Sequence, residues 1–149
     1  MKQNKNNSIL LSQVCVILFA LLLAALDVTG WWWTRWFAAL RGMAPMKAVW
    51  MMISLYTCSI PAWITLLELW RLLRNIMENR VFVDSNVRLM HVISLCCVAA
   101  AVICLFSSAY YLAFLVLALS SAFMALIVRI VRDAFRRAIE MQSELDLTI

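Results

Sequence analysis

The chain has 149 residues and a formal net charge of +5, with 66% hydrophobic and 14% charged residues. Soluble domains are about half apolar and about a quarter charged, and one domain of this size has no interior large enough for the excess. Only two Gly and two Pro occur, which excludes a collagen-like tract, a Gly/Pro-rich linker and a turn-rich β fold.

Lipid is the solvent that suits this composition, and four apolar runs approach the roughly 20 helical residues that cross a bilayer. The first, residues 9–26, follows Lys2 and Lys5 and is broken only by Ser12 and Gln13. It is longer than a signal-peptide core, and no small-x-small cleavage site follows Leu26, so a retained helix is expected. The connection after it holds Trp31, Trp32, Trp33, Trp36 and Phe37. Indole rings favour the headgroup layer, where the ring is half buried and its N–H stays wet. Residues 31–42 are therefore expected as a short external helix lying on the interface. A platform of stacked tryptophans for a substrate is the sharper alternative.

The second run is 49–67, and Glu68 to Arg74 extends it. Glu68 and Arg71 are three apart and can pair on one helix face. Pro61 frees the carbonyl of Thr57 and predicts a kink. Residues 75–86 then turn back, and Asp84 or Ser85 can cap the third run, 87–106. A tight turn at Ser107–Ser108, anchored by Tyr110 and Tyr111, leads to the fourth run, 109–131. None of the runs alternates at period 2, which argues against a membrane β-barrel. Each carries small and polar residues at spacings of three and four. These are Gln13, Ile17, Ala20, Ala24 and Asp27; Ser54, Cys58, Pro61, Thr65 and Glu68; Ser94, Cys97, Ala101, Cys104 and Ser108; and Ala118, Ser121 or Ala122, and Ala125. Such stripes are packing seams of membrane helices and predict a left-handed four-helix bundle.

Ten of the thirteen Lys and Arg fall in the N-terminus, the second connection and the C-terminal segment. The positive-inside rule places those parts in the cytoplasm. The expected fold is thus an all-α membrane protein, one domain across 1–149, with both termini inside. The tail, 132–149, is expected to stay helical to about Glu144, with Arg129–Asp133 and Arg136–Glu140 at pairing distance. Its basic half meets anionic headgroups. Its end either docks on the protein's own cytoplasmic face or meets a partner.

Chemistry is sparse. Cys15, Cys58, Cys96, Cys97 and Cys104 all lie in apolar runs, which argues against a disulfide framework. No Cys-x-x-Cys or Cys/His spacing offers a zinc site. No phosphate loop, His-Glu-x-x-His helix or Gly-x-Ser-x-Gly elbow occurs. The candidate intramembrane polar residues are Asp27, Ser54, Thr57, Pro61, Thr65, Glu68 and His91. Asp27, Glu68 and His91 are placed near span ends, where they reach interfacial water. No enzyme, no cofactor and no direct nucleic-acid binding is expected.

Two segments carry a resemblance. Met141-Gln142-Ser143-Glu144-Leu145-Asp146-Leu147-Thr148-Ile149 resembles the terminal signature of a bacterial membrane family, domain of unknown function 2975, whose members end in Leu-x-x-Glu-x-Asp-Leu-Thr and an aliphatic residue. Met141 replaces the usual Leu. Asn79-Arg80-Val81-Phe82 with Asn86-Val87 is similar to the family's second signature, although Val83 stands where a hydroxyl is usual. The resemblance implies four transmembrane helices, no established activity, and a frequent small helix-turn-helix regulator as neighbour. The expected role is an inner-membrane protein acting through cytoplasmic contacts, with Arg80, Phe82, Asn86, Glu144, Asp146, Leu147 and Thr148 as candidate contact residues. The alternative is a subunit of a small transporter or channel, working as a homo-oligomer with a polar path along the bundle axis.

Overall fold

The computed structural model describes residues 2–78, 80 and 83–148, with side chains from Leu10 onward. These residues form four helices: α1 (Lys2–Leu40), α2 (Pro45–Met77), α3 (Asp84–Ser107) and α4 (Ala113–Leu147). All four are long and apolar enough to cross a membrane. No strand occurs among the described residues. Large apolar side chains such as Phe19, Leu21, Phe106 and Phe123 are exposed, as they are in a protein whose outer surface is solvated by acyl chains.

The short interfacial helix is not separate. Residues 31–40 complete α1, whose 39 residues extend about 58 Å. Proline is absent from α1, and a lone Gly30 does not stop a helix. The helix ends where its backbone demands it. Gly42 takes φ 58°, Met43 N–H reaches Ala38 O at 3.0 Å and Gly42 N–H reaches Ala39 O at 3.3 Å. That is a Schellman closure, which favours glycine at the left-handed position. Pro45 at the first turn of α2 loses no bond, because that N–H would have no helical partner. Further on, α2 passes the buried Pro61 without a break in the helix.

The caps also depart from expectation. α3 starts after Val83 with no side-chain cap. Asp84 and Ser85 lie inside the first turn, where the Asp84 carboxylate meets the positive end of the helix dipole. α4 continues past Glu144 to Leu147.

Each helix packs on its neighbour in the chain, α1 on α2, α2 on α3 and α3 on α4. Among the described residues α1 and α4 do not close on each other along their lengths, so the array is open rather than a bundle around one axis. The reason is which faces carry the small and polar residues. α2 turns Ser59 and Trp63 to α1 and Cys58 to α3. α3 in turn offers its other side to α4, where Ser121 Oγ donates to Cys97 O at 2.8 Å and Ser94 Oγ to Ala125 O at 3.3 Å. The expected seams on α3 and α4 therefore do pack. On α1 the buried residues among those described are Val16, Gly30, Thr34 and Ala38; Val16 lies one position from the expected Ile17, which is exposed. An aromatic contact, Phe37 edge-on to Tyr111 at 5.7 Å, ties α1 to the α3–α4 turn.

Gly30 marks a close approach of α1 to α2: a Cβ there would sit 2.7 Å from Leu55 Cδ2. Small residues let membrane helices approach this closely. Gly30→Ala should be mild, since the leucine tip can swing aside. Gly30→Leu should cost about 1–3 kcal/mol by overpacking, read as a lower melting point in detergent. Equal melting of the wild type and Gly30→Leu would show that the two helices are not held at this point.

Candidate functional site

α1 continues past Asp27, whose side chain meets α2. Its carboxylate receives two side chains from one face of α2, four residues apart. Ser59 Oγ donates to Oδ1, and Trp63 Nε1 donates to Oδ2 at 2.8 Å. Tyr56 OH adds a bond to the Asp27 backbone carbonyl at 3.0 Å. The level of this cluster follows from the next contact. Cys58, one residue from Ser59, lies against Ala100 and Cys104 of α3, roughly 5–10 Å from the end of α3 at Ser107. An ionisable group at that depth is costly unless partnered, and it marks functional sites more often than other residues do.

The hydroxyls expected to line a polar path do not form one. Thr57 Oγ1 donates to Ile53 O at 2.7 Å and Thr65 Oγ1 to Pro61 O at 2.8 Å, each closing on its own helix. Neither reaches the carbonyl that Pro61 frees. Ser54 is drawn toward the α3–α4 turn, bonded to Tyr110 OH and to Ser107 Oγ at 2.8 Å. Ser107 is buried, so this cluster pins the turn to α2. Glu68 pairs with Arg71 at 3.0 Å, as its spacing predicts. Nor do the tryptophans make a stacked platform: Trp33 and Trp36 meet at 90°, and Arg35 covers one face of Trp31 at 4.7 Å.

The opposite end holds the signature residues. Asn86 is 1% exposed, which corrects its assignment as a partner contact. Its Nδ2 donates to Arg80 O at 2.8 Å, its Oδ1 accepts from Asn75 Nδ2 at 2.8 Å, and its N–H reaches Val83 O at 2.9 Å. One side chain thus fixes both ends of the α2–α3 connection. Arg80 is exposed beside it. Phe82, with Asn79 and Val81 of the same motif, lies outside the described residues.

His91, exposed on α3, is tied to α4. Arg132 Nη1 donates to its Nδ1 at 2.7 Å. Arginine has only donors to offer, so Nδ1 is the unprotonated nitrogen in this arrangement. Arg132 also grips Asp133 at 2.8 Å, taking the place of the expected Arg129–Asp133 pair. That hydrogen bond, with the positive charges of Arg132, Arg129 and Arg136, holds the Asp133 carboxyl below its ordinary range against an opposing effect of burial. Farther out, Arg136 and Glu140 pair at 3.5 Å.

Beyond this point α4 packs on nothing among the described residues. Glu144, Asp146 and Thr148 are exposed, as are Met141 at 63%, Leu145 at 66% and Leu147 at 86%. Thr148 Oγ1 turns back to Glu144 O at 2.7 Å.

No curated protein and no solved structure matches the chain. Residues 10–149 match the family described as protein of unknown function, DUF2975. That span takes in all four apolar helices, the Asn86 lock and the exposed end of α4, and the chain belongs to this family.

Proposed function

We propose that this chain is a multi-pass protein of a bacterial inner membrane, with both termini in the cytoplasm, that works by contact rather than catalysis. The exposed end of α4 is the docking element, and the Asn86-locked connection beside it is the second contact. The orientation rests on the distribution of Lys and Arg, ten of which share the face carrying the tail. The single supporting observation is the free helix itself. Leu145 and Leu147 are exposed on a helical extension, and such extensions are only marginally stable unless packed. A cytoplasmic protein that covers them gains about 1.5–3 kcal/mol per leucine. A DNA-binding regulator encoded beside the chain is the partner class that family neighbourhood favours.

Co-purification with that regulator from detergent should fall at least tenfold for Leu145→Asp or Leu147→Asp, and vanish when the chain stops before Glu144. Retention of the regulator by the truncated chain would overturn this reading.

A second reading has its own observation. Asp27 is a carboxylate inside the helix array, with Ser59 and Trp63 as donors. Intramembrane carboxylates of this kind carry protons in transporters. On this reading the chain is a subunit of a small proton-coupled transporter, assembled as a homo-oligomer that covers the open side of the array.

A further inference from the structure

Between α3 and α4, on the face open to lipid, runs a groove of about 440 Å³ whose far end is Arg129. Ala118 and Ala125 form its floor, and Val102, Leu105, Leu119 and Leu126 its walls. Along α4 it extends from Leu115 to Arg129, roughly 21 Å. One leaflet of the hydrocarbon core is about 15 Å deep, so one extended acyl chain fits the groove with length to spare.

The groove is apolar along its length and cationic at its mouth. Arg132 is engaged by His91 and Asp133, and Arg136 by Glu140. Arg129 makes no ion pair among the described residues, and its charge reaches Asp133 only at longer range. A guanidinium at headgroup depth presents a planar fork that matches a phosphate. A helix from a second copy would fill the apolar part but would cover Arg129 without a counter-charge, which is costly. A lipid supplies both halves, an acyl chain for the groove and a phosphate for the arginine. We propose that this groove is a binding site for an anionic phospholipid of the leaflet on the tail side, with Arg129 as the headgroup contact.

The test uses the full chain reconstituted into vesicles of equal parts phosphatidylcholine and phosphatidylglycerol. After re-extraction in a neutral detergent, the retained phospholipid is measured by mass spectrometry. Wild type should retain phosphatidylglycerol several-fold over phosphatidylcholine. Arg129→Gln should return the ratio to that of the vesicle, while Arg136→Gln, outside the groove, should keep the wild-type ratio. Ala122→Phe fills the groove from an exposed position and leaves the charge in place; it should lower the amount of lipid retained. Retention at the vesicle ratio in wild type would mean only a general lipid annulus and would overturn the proposal. So would enrichment that survives both Arg129→Gln and Ala122→Phe.

Discussion

Asp27→Ala should destabilise the chain by about 2–4 kcal/mol. The substitution leaves the Ser59 hydroxyl and the Trp63 indole N–H without their acceptor. Both donors are half-buried; stranding a donor away from water costs about 1–3 kcal/mol, while an interhelical bond in a membrane is worth about 0.6 kcal/mol on average and about 1.7 at most. Two such bonds meeting on one residue, beside the close approach at Gly30, place the expected loss above that of any single hydroxyl on α2. Thermal unfolding in detergent, followed by tryptophan fluorescence, reads the effect directly. A melting curve that matches wild type would mean that Asp27 does not hold α1 to α2.

The isosteric change separates structure from transport. Asp27→Asn removes the charge but keeps an oxygen to accept from Trp63 and gains an amide that can donate to Ser59 Oγ. Its stability should lie close to wild type, because losing a charge from a low-dielectric site offsets a weaker bond. A proton carrier, by contrast, cannot work with an amide that does not titrate. In proteoliposomes carrying a pH-sensitive dye, wild type should dissipate an imposed proton gradient faster than empty vesicles, and Asp27→Asn should not. Equal leakage of the wild type and the Asp27→Asn variant would remove the transport reading and leave Asp27 a structural clamp.

The four spans are legible because apolar length is a property of contiguous sequence. So are the pairs Glu68–Arg71 and Arg136–Glu140, which depend only on helical spacing. What the chain conceals is anything that joins distant segments. Asp27 and its donors are 32 and 36 residues apart, and nothing local pairs them. Asp27 also interrupts the apolar run, which predicts a span end there. The backbone continues because one carboxylate does not break a helix, and the tryptophans after it are as compatible with a helix along α1 as with one lying on the membrane. The open array is hidden for a similar reason. A stripe of small residues shows that a face packs, but not which neighbour it meets. Asn86 is visible as part of a signature, yet a polar residue at a turn reads as solvated unless its partners are known.

Asn86→Leu should be the most damaging change at the tail end, at about 3 kcal/mol or more. The side chain is fully buried and serves two partners at once, the Asn75 amide and the Arg80 carbonyl. A leucine of similar volume keeps the packing but strands both groups, and each stranded buried polar atom costs about 1–3 kcal/mol. Asn86→Asp should be no rescue, because it retains the acceptor for Asn75 yet turns a carboxylate oxygen toward the Arg80 carbonyl in a buried site. Asn75→Ala should cost less, since it leaves the bond to Arg80 intact. In a double-mutant cycle Asn75→Ala and Asn86→Ala should show a coupling of about 0.5–3 kcal/mol, measured by thermal unfolding in detergent. Additive effects would mean that the two amides do not act on each other. The consequence reaches beyond stability, because this lock holds the backbone at Arg80 in place. If the connection and the tail form one contact surface, Asn86→Ala should weaken capture of the regulator in the cold, where the helices remain folded, while the tail sequence is untouched. If capture is unchanged there, the tail binds alone and the connection serves only to join two helices.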